Sequence, residues 1–359
     1  MIASLLLECA MCNQGGGLSG GSITSLRRDS LDYQEFLNKK KIIHASQGLN
    51  ILREQLSPLL FDFQKDLVKW TLAKGRSALF ASTGLGKTFM QIEWSNQVHK
   101  HTGDNVLILA PLAVSQQTVR EAKKLGVIVN LCRTQTDVKH GINITNYEML
   151  QHFNPAKFIG VVIDESSILK SFTGKLRQQI TDVFINTPFK LSATATPAPN
   201  DYMELGSQAE FLGAMKRNEM LAMFFTHDGS NTSQWRLKGH AQERFWEWVA
   251  SWAAVVTKPS DLGYEDGAFN LPPLIIHEAL IKTGKPLDGS LFVAEARTLQ
   301  EQRAAARQTL QARVNKCAEI VNGSNKPHLV WCNLNAESEA IKRAIPDAME
   351  VKGSDSNDH

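Results

Sequence analysis

The run Ala81-Ser82-Thr83-Gly84-Leu85-Gly86-Lys87-Thr88 restricts the fold of this chain more than any other segment. It fits the phosphate-cradling loop pattern, with alanine in place of the first glycine. Such a loop needs small residues that turn successive backbone N–H groups toward phosphate oxygens. Lys87 brings a point charge to the β/γ-phosphates, and the Thr88 hydroxyl can ligate Mg²⁺. The flanks agree. Residues 77–82 read as a short buried strand and 87–100 as a helix whose N-terminal dipole favours an anion. A Gly-rich turn between strand and helix is the bland alternative for the loop taken alone.

A second segment removes much of that ambiguity. Val161-Val162-Ile163-Asp164-Glu165-Ser166-Ser167 is an apolar run ending in two adjacent acids. A strand buried on both faces reads this way, and open α/β sheets place ligands at the carboxyl ends of their strands. Asp164 is suited to hold Mg²⁺ through its water shell, and Glu165 to orient or deprotonate an attacking water. The competing reading of an isolated Asp-Glu is a helix N-terminal cap. Loop and acidic pair together, in one alternating β/α stretch, point to nucleotide hydrolysis.

With these residues in place the chain resembles the superfamily-two helicases. Leu59, Phe61 and Gln64 resemble the adenine-reading Gln motif that precedes the phosphate loop. Leu107-Ile108-Leu109-Ala110-Pro111-Leu112 and Ile144-Thr145-Asn146-Tyr147-Glu148-Met149-Leu150 resemble two motifs that touch the nucleic-acid backbone. Asp164-Glu165-Ser166-Ser167 stands where the family has its Asp-Glu-Ala-Asp/His box. Leu191-Ser192-Ala193-Thr194-Ala195-Thr196-Pro197 resembles the Ser-Ala-Thr coupling motif, and in a shifted register the Leu-Thr-Gly-Thr-Pro form of the Swi/Snf-like branch. With Pro199-Asn200-Asp201 this run is most similar to helicase-like proteins of bacteriophages.

The resemblance implies a RecA-like phosphate-loop α/β fold, a parallel doubly wound sheet flanked by helices, followed by a helical insertion and the start of a second RecA-like lobe. It implies ATP and Mg²⁺ as ligands and DNA as partner, double-stranded as much as single, with RNA open. Gln64 and residues 82–88 would bind the nucleotide, and Thr88 and Asp164 the metal. Lys87, Asp164 and Glu165 would be catalytic. Ser192, Ala193, Thr194 and Thr196 would couple lobe closure to grip on DNA. Pro111, Thr145, Tyr147, Arg236 and Lys238 are candidates for nucleic-acid contact.

The expected domains are a flexible leader (1–30), an adaptor (31–60), the ATP-binding lobe (61–200), a helical insertion (201–256), a linker with a long helix (257–325) and the opening of a second lobe (326–359). Strands are expected at 77–82, 106–110, 127–131, 159–163 and 189–193. In the insertion, Phe245, Trp248 or Val249, and Trp252 read as a core stripe rather than a base-stacking platform. Residues 226–240 read as a polar loop. Further on, a short strand is expected near 274–280, and a helix over 290–321 with a buried stripe of Leu299, Leu310, Val314, Cys317 and Val321. Strands at 328–333 and 349–351 would flank a helix at 335–344. Only about 35 residues of a second lobe are present. The family's arginine-rich last motif has no counterpart in them, so a second chain completing that lobe is one expectation.

Composition narrows the class without naming it. The formal net charge is +3 over 359 residues, so any basic surface is local. No apolar run reaches the ~20 residues of a membrane span. Met1 to Leu7 is too short and lacks a basic start for a signal peptide. Five cysteines without regular spacing suit a reducing compartment; the resemblance to phage helicases implies the cytoplasm of a bacterium or phage-infected host. Cys9 and Cys12 have zinc-type spacing but no second pair nearby. Three other functions fit the loop: a packaging or restriction-type translocating subunit, a nucleotide-gated DNA-binding module, and a kinase-like enzyme acting on a small molecule.

Overall fold

The computed structural model describes residues 43–170, 174–228, 231–281 and 295–352. These divide into two compact units, up to Leu271 and from Pro272.

The first unit is built on a seven-stranded, wholly parallel sheet. Its strands are β1 (Arg76–Ala81), β2 (Val106–Ala110), β3 (Val129–Leu131), β4 (Ile142–Asn146), β5 (Gly160–Asp164), β6 (Phe189–Thr194) and, after a hairpin of β7 (Phe225–Asp228) and β8 (Asn231–Leu237), β9 (Ala253–Val256). The order across the sheet is β3-β4-β2-β5-β6-β1-β9. The helices are α1 (Asp62–Lys74), α2 (Lys87–Thr102), α3 (Leu112–Lys124), α4 (Lys175–Val183), α5 (Leu205–Leu212), α6 (Arg217–Phe224) and α7 (Gln242–Ala250). This is the α/β class expected from the sequence.

Two apolar cores, one on each face, explain why the central strands are continuous apolar runs. Along β2, Leu107 and Leu109 enter one core, whereas Val106, Ile108 and Ala110 enter the other. β1 divides in the same way, Ala78 and Phe80 against Leu79 and Ala81. The period-two alternation of side chains across a pleat produces this division. α1 and α2 close the second core with Phe63, Leu67, Leu72, Met90, Ile92 and Trp94. Phe245, Trp248, Val249 and Trp252 help close the first, so the expected core stripe is observed and includes both Trp248 and Val249.

β6 is an exception, because one of its faces is polar. Lys190, Ser192 and Thr194 are all buried there, and α5 supplies partners. Ser192 Oγ donates to Gln208 Oε1, and Lys190 Nζ donates to Phe211 O at 2.8 Å.

Several expected elements differ. β4 was absent from the expected strands, yet it pairs with both β2 and β3. Residues 201–256 are not wholly helical. β9 pairs in parallel with β1, Ala78 to Ala253 through Ala81 to Val256, and the polar loop is the β7–β8 hairpin. A four-residue apolar run such as β9 is indistinguishable from a helix turn by periodicity.

In the second unit the expected long helix is two, α8 (Leu299–Gln308) and α9 (Leu310–Asn322), separated at Thr309. Leu299, expected in the buried stripe, is 71% exposed, whereas Val314 is buried. α10 (Asn335–Ala344) forms as expected, joined to α9 by an Arg313 Nη1–Glu337 Oε1 ion pair of 2.6 Å. Residues 274–280, 328–333 and 349–351 form no ladder. A strand needs a hydrogen-bonding neighbour, and none is paired to these segments among the described residues.

Candidate nucleotide site

All sheet strands run the same way, so the loop after β1 and the acids after β5 emerge on one edge, two strand positions apart across β6. The loop reaches that edge through two left-handed glycines, Gly84 at φ 86° and Gly86 at φ 77°. Gly86 has a positive φ that favours glycine, and a Cβ there would lie 2.5 Å from Gln64 Nε2 and displace that amide. It also precedes α2, which starts at Lys87 without a side-chain cap, so the leading N–H groups of the helix are unclaimed by any side chain.

Lys87 is half-buried and lies over the loop, its Nζ donating to Ala81 O at 3.0 Å and Ser82 O at 3.4 Å. Burial lowers its pKa, and the nearby charges of Glu165 and Asp164 act against that shift. Lysine and acids therefore share one electrostatic neighbourhood.

Asp164 is 6% exposed, and burial raises its pKa. Its Oδ1 accepts from Gln91 Nε2 at 2.7 Å and from the Glu165 amide at 3.1 Å. The first of these bonds runs directly from the helix of the phosphate loop to the acid. The other oxygen has no partner among the described residues.

Glu165 is exposed and is the one non-glycine residue with positive φ among the described residues, at 53°. Such a conformation is uncommon outside glycine and persists where the surroundings enforce it. Here the enforcement comes from both sides. Tyr147 OH donates to Asp164 O, and Gln208 Nε2 donates to Ser166 O at 2.8 Å. Thr194 Oγ1 reaches Glu165 Oε2 at 3.4 Å and accepts from the Thr196 amide at 3.1 Å.

Ser192, Ala193 and Thr194 are buried beneath the edge, and Thr196 is exposed on it. Gln64 is buried rather than open to a base. Its Oε1 accepts from the Phe61 amide at 3.0 Å, and its Nε2 donates to Leu85 O at 2.9 Å. In this arrangement it braces the loop.

The candidates for nucleic-acid contact fare differently. Pro111 is half-buried at the start of α3 on this edge, and Arg236 is exposed on β8. Thr145 and Tyr147 are 1% and 4% exposed, so their side chains point into the protein rather than toward a strand. Lys238 is turned to structure, its Nζ donating to Ala222 O and Met223 O near the end of α6.

Sequence reasoning missed Gln91 and Gln208. Gln91 had a usable signal, because it lies four residues after Lys87 on the same helical face. Gln208 had none, since its role depends on α5 packing across β6.

The residues fit a magnesium-bound triphosphate. A free Asp164 oxygen and the Thr88 hydroxyl, which has no partner among the described residues, provide hard oxygen ligands. Magnesium at phosphates commonly takes one or two protein oxygens and fills its shell with phosphate and water.

The SNF2-related domain family matches residues 63–234, which contain the loop, the acids and the 191–197 run. The chain is similar to the Sulfolobus solfataricus SWI2/SNF2 ATPase core in complex with dsDNA, with 18% identity and a TM-score of 0.48, over 58% of this chain and 47% of that one. The Sulfolobus ATPase core domain alone gives 18% identity and a TM-score of 0.48, over 64% and 50%. The UvsW helicase of bacteriophage T4 gives 16% identity and a TM-score of 0.38, over 51% and 65%. The chain thus spans about half the length of the two archaeal cores. No protein of curated function matches it.

Proposed function

We propose that this chain carries the ATP-binding and hydrolysing lobe of a DNA helicase or translocase of the Swi/Snf-like kind. One observation carries the reading. The phosphate loop, Lys87 and the 164/165 acids meet at one edge of a parallel sheet, with Gln91 tying the loop's helix to Asp164. The match to the SNF2-related domain over residues 63–234 supports it.

In this reading the 82–88 backbone and Lys87 hold the β/γ-phosphates, and Thr88 and Asp164 hold Mg²⁺. The metal supplies charge neutralisation at the transferring phosphoryl group. Glu165 orients the attacking water and accepts its proton. The Thr194–Glu165 contact links that carboxylate to the 191–197 run, giving ATP turnover a path to the DNA-facing edge. DNA contact there is with phosphate and carries little sequence information.

The test is ATP turnover by the full chain with and without duplex DNA. Stimulation by DNA supports the proposal. Turnover indifferent to DNA assigns the site to small-molecule chemistry instead, and nucleotide binding without turnover makes the chain a nucleotide-gated binding module.

A further inference from the structure

A cleft of ≈ 490 Å³ is bordered by residues that follow β6 and by residues of the β7–β8 hairpin. The volume suits one small planar ligand group, in the range of ordinary ligand pockets. Its lining includes Tyr202, Phe225, Trp235, Arg236, Asn200 and Asp201, and each contributes something different.

Phe225 is buried, whereas Tyr202 is 44% exposed. The Tyr202 ring stands edge-on to Trp246 with centroids 5.0 Å apart. Trp235 is half-buried and backed by His227, with ring centroids 3.8 Å apart. Two aromatic rings, each held by a second ring, therefore border one cleft.

The polar groups around them are a mixed set. Asn200 donates its Nδ2 to Glu204 at 2.8 Å, and its Oδ1 has no partner among the described residues. Asp201 Oδ1 accepts from the Met203 amide at 2.9 Å, leaving its other oxygen as an acceptor. These acceptors suit the N–H groups of a base edge and repel a bare phosphate. Arg236 is exposed on β8, opposite Thr226 in the ladder, and forms no ion pair among the described residues. It is free to meet a phosphate at the rim or to stack on a ring.

From this combination we propose that the cleft takes a single unpaired nucleobase of a nucleic-acid strand, stacked against Trp235 and Tyr202, with Arg236 on its flanking phosphate. A base inside a duplex is stacked on both sides and cannot enter, so the cleft distinguishes single-stranded or unpaired nucleotides from duplex. This goes beyond the phosphate-tracking grip above and rests on the nucleic-acid reading of the same lobe. It gives the lobe a second kind of contact, one that senses unpairing.

The experiment is fluorescence anisotropy of the full chain, without ATP, on labelled oligo-dT, on the same oligomer made abasic, and on a duplex of equal length. Trp235→Ala is expected to weaken oligo-dT binding roughly 5- to 150-fold, the range set by loss of one base–aromatic stack, and to change duplex binding less than about twofold. Trp235→Phe should restore much of the loss because it keeps a π-face. The wild-type chain should bind the abasic strand at least as weakly as Trp235→Ala binds oligo-dT, and Trp235→Ala should cause no further loss on the abasic strand. Tyr202→Ala, at an exposed ring, repeats the test without disturbing the core.

Equal losses on single strand and duplex would overturn the proposal, as would unchanged oligo-dT affinity in both alanine variants. DNA-independent ATP turnover by Trp235→Ala should match wild type. A failure of the ATPase reading would appear there in the wild type itself, whereas a failure of the cleft appears only in the binding ratios.

Discussion

At the scale of single residues, the site is a small set of charges held by neutral amides. Lys87 is the cation of the set and currently bonds two backbone carbonyls, both of which a phosphate would replace. Lys87→Ala should weaken ATP binding about 10- to 150-fold, the worth of a hydrogen bond to a charged group, with an unchanged circular-dichroism spectrum. Titration with a fluorescent ATP analogue measures this, and undiminished affinity would remove Lys87 from the phosphate site. Glu165→Gln should bind the analogue within about twofold of wild type and lose ~10²- to 10⁴-fold in turnover, because an amide cannot accept the water's proton. Normal turnover in that variant would assign the base elsewhere. The acids and the lysine were legible from their neighbours in sequence. Of the partners that fix them, Gln91 lies on the lysine's own helix, whereas Tyr147 and Gln208 come from other parts of the chain, and neither role was legible.

At the scale of elements, β6 and α5 form a polar seam in an otherwise apolar sandwich. Lys190 is 1% exposed, its ammonium bonded to carbonyls and set over the Phe211 ring, 5.1 Å from the centroid. Burial, helped by the charge of Arg76, pushes its pKa down to about 7. An unfolded chain keeps that proton to about pH 10. Between those values the unfolded state binds more protons, so stability rises with pH, and below about pH 7 the cost of the buried charge is constant. From pH 7 to pH 9 the wild-type chain should therefore gain up to about 3 kcal/mol relative to Lys190→Met. Urea unfolding at both pH values measures the difference, and parallel shifts in the two proteins would show that Lys190 does not titrate in this range.

The elements also show where pattern reading stops. The strands β1, β2 and β5 were visible because burial on both faces writes a nearly continuous apolar run, and β6 because its apolar and polar residues alternate. β4 was hidden because Asn143, Thr145 and Asn146 interrupt its run, although all three are buried. Asn143 is satisfied locally, its Nδ2 donating to Lys139 O at 2.8 Å.

At the scale of the molecule, the first unit holds two packed cores around one sheet. Beyond it, residues 271–281 have no regular structure, and Leu274 and Leu280 are 86% and 82% exposed. Limited chymotrypsin digestion should yield a stable product ending between residues 271 and 280 that retains affinity for the ATP analogue, read by mass spectrometry and titration. Early cleavage within 242–256 would show that β9 is not an integral strand of the sheet. Among the described residues no helix is long and apolar enough to cross a membrane.

The sequence by itself determined the phosphate loop, the acidic pair, the central strands and the α/β class, because each is written in consecutive residues whose sterics and burial act locally. The tertiary structure alone decided the rest. It placed β9 beside β1, bent Glu165 to a positive φ between two clamps, turned Thr145 and Tyr147 inward, and gathered Tyr202, Trp235 and Arg236 around one cleft. Each of these depends on pairings between segments far apart in the chain, which a reading confined to neighbouring residues does not contain.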